Sequence, residues 1–174
     1  MDALANASTD PNLVRWWQAV KKLDISDYGA GRWLPEVPLV VPIGRFNLYA
    51  RFDLVSAGRQ GAATVVDWKT LERRPSDEVM RRRMQTRVYL YAVACAGHTL
   101  ASSSGAVIPE ETRMVYWFTN APDELCVIDY STEQMQEDGD WFTDLATDIA
   151  SRGAGDFEKT ADLRQCAHCM YKPL

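Results

Sequence analysis

Long apolar runs are missing from this chain: no window of its 174 residues approaches the roughly 18 to 20 consecutive apolar residues that a membrane-spanning helix needs. The opening MDALANASTD also lacks the basic start and apolar stretch of an export signal, so we expect a soluble, cytoplasmic protein with no membrane partner. Basic residues are too few to coat nucleic acid nonspecifically, because 19 Lys and Arg against 24 Asp and Glu leave a net charge of -5. Histidine is scarce, and His98 and His168 stand outside any H-x-x-H pattern and read as loop residues. The four cysteines, Cys95, Cys126, Cys166 and Cys169, are unevenly spaced, which without an export signal favours reduced thiols over a disulfide framework. No repeat or low-complexity segment is visible. With 47% hydrophobic residues there is material for one substantial core, so residues 1–174 read as a single domain.

What is present is a mixed succession of elements. In TDPNLVRWWQAVKKLD, Asp10 stands as an N-cap, Pro11 at the first helical position, and Leu13, Trp16, Trp17, Val20 and Leu23 near helical spacing, predicting a helix over 11–23. Three strands follow near 36–42, 46–55 and 63–70, separated by Gly44 and the AGRQG turn, as an antiparallel meander. Ser76 is placed to cap one long helix reaching about Ala96, with Met80, Met84, Val88, Tyr91 and Cys95 on its apolar face. RMVYWFT and ELCVIDY read as two more strands, and Thr132 as the cap of a helix over 133–151. The core thus spans 36–151, and a cysteine-containing tail over 153–174 reads as irregular.

The stretch TVVDWKT starts as a buried strand and then places Asp67 and Lys69 two residues apart, on one face with Val65. In LYARFDLV, strict alternation puts Leu48, Ala50, Phe52 and Leu54 on one apolar face and Tyr49, Arg51 and Asp53 on the other. If the hairpin pairs as its short turn suggests, Asp53 and Asp67 approach each other, and two neighbouring carboxylates need a cation or a shared proton between them. A divalent metal answers that need, since carboxylate oxygens suit Mg²⁺ or Mn²⁺ and Lys69 is at hand to stabilise charge developing on an attacking water. Gln85 and Tyr89, four apart, share a stripe at the helix edge with Arg81 one turn earlier. Arg73, Arg74, Arg81, Arg82, Arg83 and Arg87 concentrate positive charge in an otherwise acidic chain, and phosphates are their natural partners.

Each feature also has an ordinary reading. A D-x-K pair in any chain is most often an exposed ion pair of small worth. Gln85 and Tyr89 could be helix-edge residues, the arginines a solvated face, and Cys166 with Cys169 an isolated C-x-x-C that needs two more ligands to hold a metal.

Taken together, LYARFDLV, TVVDWKT, QTRVYLYA and the terminal CAHCMY resemble the PD-(D/E)XK nuclease superfamily, and within it the RecB-like exonuclease group, from about Glu36 to Tyr171. The resemblance implies a restriction-endonuclease-like core of the α/β (α+β) class, a mixed central sheet flanked by helices, cleaving DNA phosphodiesters with Mg²⁺ or Mn²⁺. By that likeness Asp53 and Asp67 are metal ligands, the Trp68 backbone carbonyl is a third, and Lys69 positions or activates the attacking water. Gln85 and Tyr89 match the helix motif that orders the metal site and the DNA backbone. Glu36, in LPEVPL, matches a glutamate found ahead of the first aspartate. Relatives with an iron-sulfur staple place one cysteine before the first aspartate and three near the C-terminus, but here no cysteine precedes Cys95, so no iron-sulfur cluster is expected. A histidine that some relatives carry in the N-terminal helix region is absent as well.

The reading is therefore a metal-dependent DNase, acting on DNA ends or single strands, free-standing or as a subunit of a helicase, repair or defence complex. Arg73, Arg74, Arg81, Arg82 and Arg87 are its expected phosphate contacts. Two competitors differ in class: an inactive nucleic-acid-binding or assembly module with the same fold, and a small zinc-knuckle protein built around Cys166 and Cys169. The complete set of Asp53, Asp67 and Lys69 favours the nuclease, since a module without turnover has no chemical need of all three. The tail is expected to be held by packing of Phe157, Leu163 and Tyr171.

Overall fold

A computed structural model of the chain describes residues 9–164 except 22, 30, 59, 72, 101–104, 159 and 163. Among the described residues four α-helices, α1 (Pro11–Val20), α2 (Asp77–Arg81), α3 (Met84–Ala96) and α4 (Thr132–Ser151), flank a sheet of β1 (Trp33–Ile43), β2 (Phe46–Ala57), β3 (Ala63–Lys69), β4 (Thr112–Phe118) and β5 (Ala121–Asp129). The strands lie in chain order. The first three form the antiparallel meander that the turns predict, β4 runs parallel to β3, and β5 returns antiparallel to β4. A parallel neighbour requires a crossover, and the segment carrying α2 and α3 supplies it. The fold is the mixed α+β sheet expected from the sequence.

Local chemistry explains most boundaries. Asp10 caps α1 by accepting from the Asn12 N–H at 2.8 Å, with Pro11 at the first position. The helix stops at Val20, three residues short of the expected end. Gly44, at φ 58°, turns the two-residue hairpin between Ile43 and Phe46, where a first-position glycine is favoured. β1 carries Pro35, Pro38 and Pro42, tolerated because it is an edge strand that needs no hydrogen bonds on its outer side. α4 is capped by Ser131, whose hydroxyl accepts from the Gln134 N–H, and not by Thr132.

The long helix expected from Ser76 to Ala96 is two helices. Ser76 caps α2 as expected, but Arg83 adopts an extended conformation (φ -65°, ψ 140°) and starts α3 afresh. The Thr86 hydroxyl donates to the Met80 carbonyl at 2.6 Å, occupying an acceptor that a continuous helix would give to Met84. The break keeps Met80 fully buried while Met84 turns outward to 47% exposure, against the expectation of a core residue. It also separates Arg81 from the helix that carries Gln85 and Tyr89.

α3 covers one sheet face, where Phe52, Val55, Val65, Met114, Tyr116 and Phe118 pack with Met80, Leu90 and Val93. Burying each such side chain is worth about 1.5–3 kcal/mol. On the other face Val66, Val115 and Trp117 are buried outside that core. The segment after α1 covers part of this second face, with the Thr64 hydroxyl donating to the Tyr28 carbonyl and the Gly31 N–H to Ser56 Oγ.

Candidate functional site

The alternation of β2 does not run unbroken, and the site depends on where it slips. Ala50 and Phe52 belong to the core under α3, but so does Val55, so the face changes between Phe52 and Val55. β1 slips in concert: Leu34 and Val37 both pack on the same core. Between them Glu36 takes φ 54°, a left-handed conformation that costs a non-glycine residue about 1 kcal/mol or more. Because both strands slip together, their register survives, with Pro35 opposite Leu54 and Val37 opposite Phe52. Asp53 therefore stands on the α3 side, not away from it as strict alternation predicts. Carrying the registers one step further places Glu36, Asp53 and Asp67 in a row across β1, β2 and β3.

The three carboxylates sit at different depths. Asp67 is 2% exposed, Asp53 is half-buried, and Glu36 is exposed and ion-paired with Arg51 at 3.0 Å. Asp53 Oδ2 accepts from the Trp68 N–H at 3.1 Å, so Trp68 directs its N–H toward β2. The main-chain carbonyl of Lys69 instead faces β4, where it accepts from the Thr119 N–H. Peptide groups alternate along a strand, so the Trp68 carbonyl leaves on the Asp53 side.

Lys69 and Gln85 close a ring on Asp67. Lys69 Nζ lies 2.6 Å from Asp67 Oδ2 and donates to Gln85 Oε1 at 2.7 Å, while Gln85 Nε2 donates to Asp67 Oδ1 at 2.6 Å. Burial pushes the Asp67 carboxyl above its ordinary value, Lys69 pulls it back down, and the neighbouring Asp53 raises it again. Oδ2 is held by the Lys69 ammonium at 2.6 Å, and no other donor reaches it among the described residues. Tyr89 donates to the Arg51 carbonyl at 2.5 Å and stacks edge-on against Phe52, tying α3 to the slipped part of β2. Burial raises the Tyr89 phenol, and Asp67, Asp53 and Glu36 all add to the shift. Asp53, Asp67, Lys69, Gln85, Tyr89 and Glu36 are thus one neighbourhood.

The donor set fits a hard divalent cation. It offers oxygen only, from the paired carboxylates of Asp67 and Asp53 and from the Trp68 carbonyl. Among the described residues no three of His, Cys, Asp and Glu are grouped to hold an ion by themselves. Two carboxylates completed by main-chain oxygen and water are the usual holding of Mg²⁺.

The arginines divide. Arg87 donates to the buried Asp138 at 2.6 Å and lies 4.5 Å from the Trp141 ring. Arg74 is spent on Asp77, on the carbonyls of Pro75, Glu124 and Leu125, and on the face of Phe118. Both were expected to hold phosphates, but the structure gives each an internal role that sequence spacing could not show. Arg82 pairs with Glu78 at the surface, and Arg73 and Arg81 are exposed. Asp138 is a buried acid the sequence reading missed; its signal was Tyr130, which donates to it at 2.8 Å. Cys95 and Cys126 are free thiols, the latter buried and pushed up to about 11. Cys166, Cys169, His168, Leu163 and Tyr171 lie outside the described residues, and Phe157, expected to pack, is 56% exposed.

A mixed sheet with carboxylates in a row across neighbouring strands is the frame of a phosphodiester-cleaving nuclease fold. The chain belongs to the PD-(D/E)XK nuclease superfamily, whose family model matches residues 2–174. Nucleases of this superfamily generally use divalent metal ions. Its fold is similar to that of a Eubacterium rectale protein whose crystal structure is described as "Putative exonuclease", with a TM-score of 0.52 and 14% identity over 94% of this chain and 62% of that one. The crystal structure of SSO0001 aligns with a TM-score of 0.46 and 16% identity over 91% of this chain and 64% of the other. This chain therefore spans less than two thirds of either protein, and at 14% identity the likeness to the Eubacterium rectale protein is one of fold. No curated protein matches the sequence. Among the described residues no helix is long and apolar enough to cross a membrane.

Proposed function

We propose that this chain is a Mg²⁺- or Mn²⁺-dependent deoxyribonuclease of the RecB-like group, an exonuclease acting on DNA ends or single strands, alone or within a helicase, repair or defence complex. The observation that supports it most is the buried Asp67 carboxylate, ion-paired with Lys69 at 2.6 Å and in register with a second carboxylate, Asp53. One ammonium does not balance two neighbouring carboxylates, and a divalent cation offsets the negative charge that is left. When bound, a divalent cation supplies a Lewis acid for the phosphate and makes a nearby water more acidic. Asp67, Asp53 and the Trp68 carbonyl hold it, with Glu36 at the outer end of the row. Lys69 orients the attacking water and offsets the negative charge that grows on the phosphate oxygens. Gln85 fixes the Lys69 ammonium and the Asp67 carboxylate in one geometry, and Tyr89 keeps α3 seated over them. Arg73, Arg81 and Arg82 remain available to phosphates. The test is cleavage of end-labelled single- and double-stranded DNA with Mg²⁺, Mn²⁺ or EDTA. Shortening from an end that stops with EDTA is expected; cleavage unaffected by EDTA, or none with either metal, refutes the reading.

A further inference from the structure

Trp68 is out of place for a hydrophobic strand residue. Thr64, Val65, Val66 and Asp67 before it are all buried, and its partner on β4, Trp117, is 1% exposed, yet the Trp68 side chain is 40% exposed. By alternation it shares the second sheet face with Thr64 and Val66. The segment reaching Tyr28 covers the Thr64 end of that face and leaves the Trp68 end open. The indole is therefore part-exposed at the end of the strand that carries Asp67 and Lys69, on the opposite sheet face from their side chains.

A cleft of about 430 Å³ opens where the chain leaves this strand, between α1 and the β4–β5 turn. Its size falls within the roughly 300–1,000 Å³ of small-ligand pockets. It is lined by Arg15, Gln18, Thr119, Asn120 and Asp123, among others. The cleft is tied to the catalytic strand: Thr119 donates through its N–H to the Lys69 carbonyl, and Asn120 Nδ2 donates to the Leu71 carbonyl at 2.6 Å. Arg15 in turn donates to Asn120 Oδ1 at 2.6 Å. The lining thus holds one cation, one carboxylate and two amides. A phosphate inside the cleft would find Asp123 repulsive, whereas a nucleobase edge, which carries donors and acceptors side by side, matches the Gln18 amide and the Asp123 carboxylate, Asn120 being engaged by Arg15 and the Leu71 carbonyl.

We propose that the exposed Trp68 indole and the Arg15–Asn120 cleft form a subsite for an unpaired strand, in which one base stacks on Trp68 and a neighbouring base enters the cleft, with Arg15 meeting the adjoining phosphate. This deepens the nuclease reading and rests on it. The subsite selects single-stranded substrate because a base inside a duplex cannot offer its face to an indole or its pairing edge to a cleft. Trp68 acts here as a positioning residue through its side chain, separate from its main chain, which holds Asp53 whatever the side chain is.

The experiment uses fluorescein-labelled single-stranded DNA and a blunt duplex of the same sequence, with anisotropy measured in Ca²⁺, and 2-aminopurine placed at successive positions to report stacking. Wild type, Trp68→Ala, Trp68→Phe and Arg15→Ala are compared, with melting curves to confirm folding. Trp68→Leu replaces the alanine variant if that one does not fold. Base–aromatic stacking is worth about 1–3 kcal/mol, so Trp68→Ala should weaken single-strand binding about 5- to 150-fold and abolish 2-aminopurine quenching, while Trp68→Phe keeps most of both. Arg15→Ala should lower the salt slope by about one. Duplex affinity should not change, and the kinetic loss should fall on KM more than on kcat. A wild-type enzyme that cuts DNA while Trp68→Ala binds single strands equally well overturns the subsite and leaves the nuclease reading standing. A wild type that neither binds nor cuts removes both.

Discussion

Replacing Asp53 by asparagine separates its two roles, because the amide keeps the shape and the acceptor but loses the charge. The structural role is a single hydrogen bond, from the Trp68 N–H to Oδ2 at 3.1 Å, which the introduced amide oxygen can accept in turn. Exchanging a charged acceptor for a neutral one costs on the order of 1 kcal/mol. Against that, the substitution removes the repulsion by which Asp53 raises the Asp67 carboxyl. Metal-free stability should therefore move by less than about 1 kcal/mol, a shift in Tm of a few degrees at most. The charge role is larger. Two unit charges at 4 Å attract by about 4 kcal/mol at an effective dielectric of 20. Discounted by about half for the water that reaches a half-buried residue, and doubled for a divalent ion, the loss stays near 4 kcal/mol, or roughly 1,000-fold in affinity. Titration calorimetry with Mn²⁺ on wild type and Asp53→Asn, alongside thermal melts, reads both. Unchanged Mn²⁺ affinity in a folded variant would falsify the assignment of Asp53 as a ligand, and a collapse in Tm would show that the residue is structural.

Three further outcomes follow from the same neighbourhood. Asp67 has a folded-state pKa above its ordinary value of 3.8; the folded state thus holds its proton more tightly, the associated stability is fully present below about 3.8, and it is lost as the pH rises through the raised value. Metal-free denaturation curves from pH 3 upward should show that loss in wild type and not in Asp67→Asn; identical pH profiles would mean the carboxyl is unshifted. Lys69→Ala should reduce kcat by about 100-fold or more with little change in DNA affinity, since its charge faces Asp67 and the reacting water, and wild-type turnover would demote Lys69 to a structural partner of Asp67. Arg87→Ala leaves Asp138 buried and with Tyr130 alone, so urea unfolding should show a loss of about 2–4 kcal/mol, whereas Arg81→Ala should leave stability within about 0.5 kcal/mol and lower the salt slope of DNA binding by about one. The reverse ranking would return Arg87 to the phosphate-binding role.

The order of strands, turns and caps was legible in the sequence because those features are local. Asp10–Pro11, Gly44 and Ser76 each act within a few residues of themselves, and the apolar strands declare themselves by composition. The type of residue at the site was legible for the same reason, since a D-x-K following a buried run is visible without coordinates. What the sequence could not decide was anything set by contacts far apart in the chain. The split between α2 and α3 depends on Met80 being taken into the core and on the Thr86 hydroxyl reaching its carbonyl. The fates of Arg74 and Arg87 depend on Glu124 and Asp138, about 50 residues away. Most of all, strict alternation sends Asp53 to the wrong face. Only the paired slip of β1 and β2, with Glu36 held at positive φ, puts it on the α3 side with Asp67, and because both strands slip together their ladder stays in register.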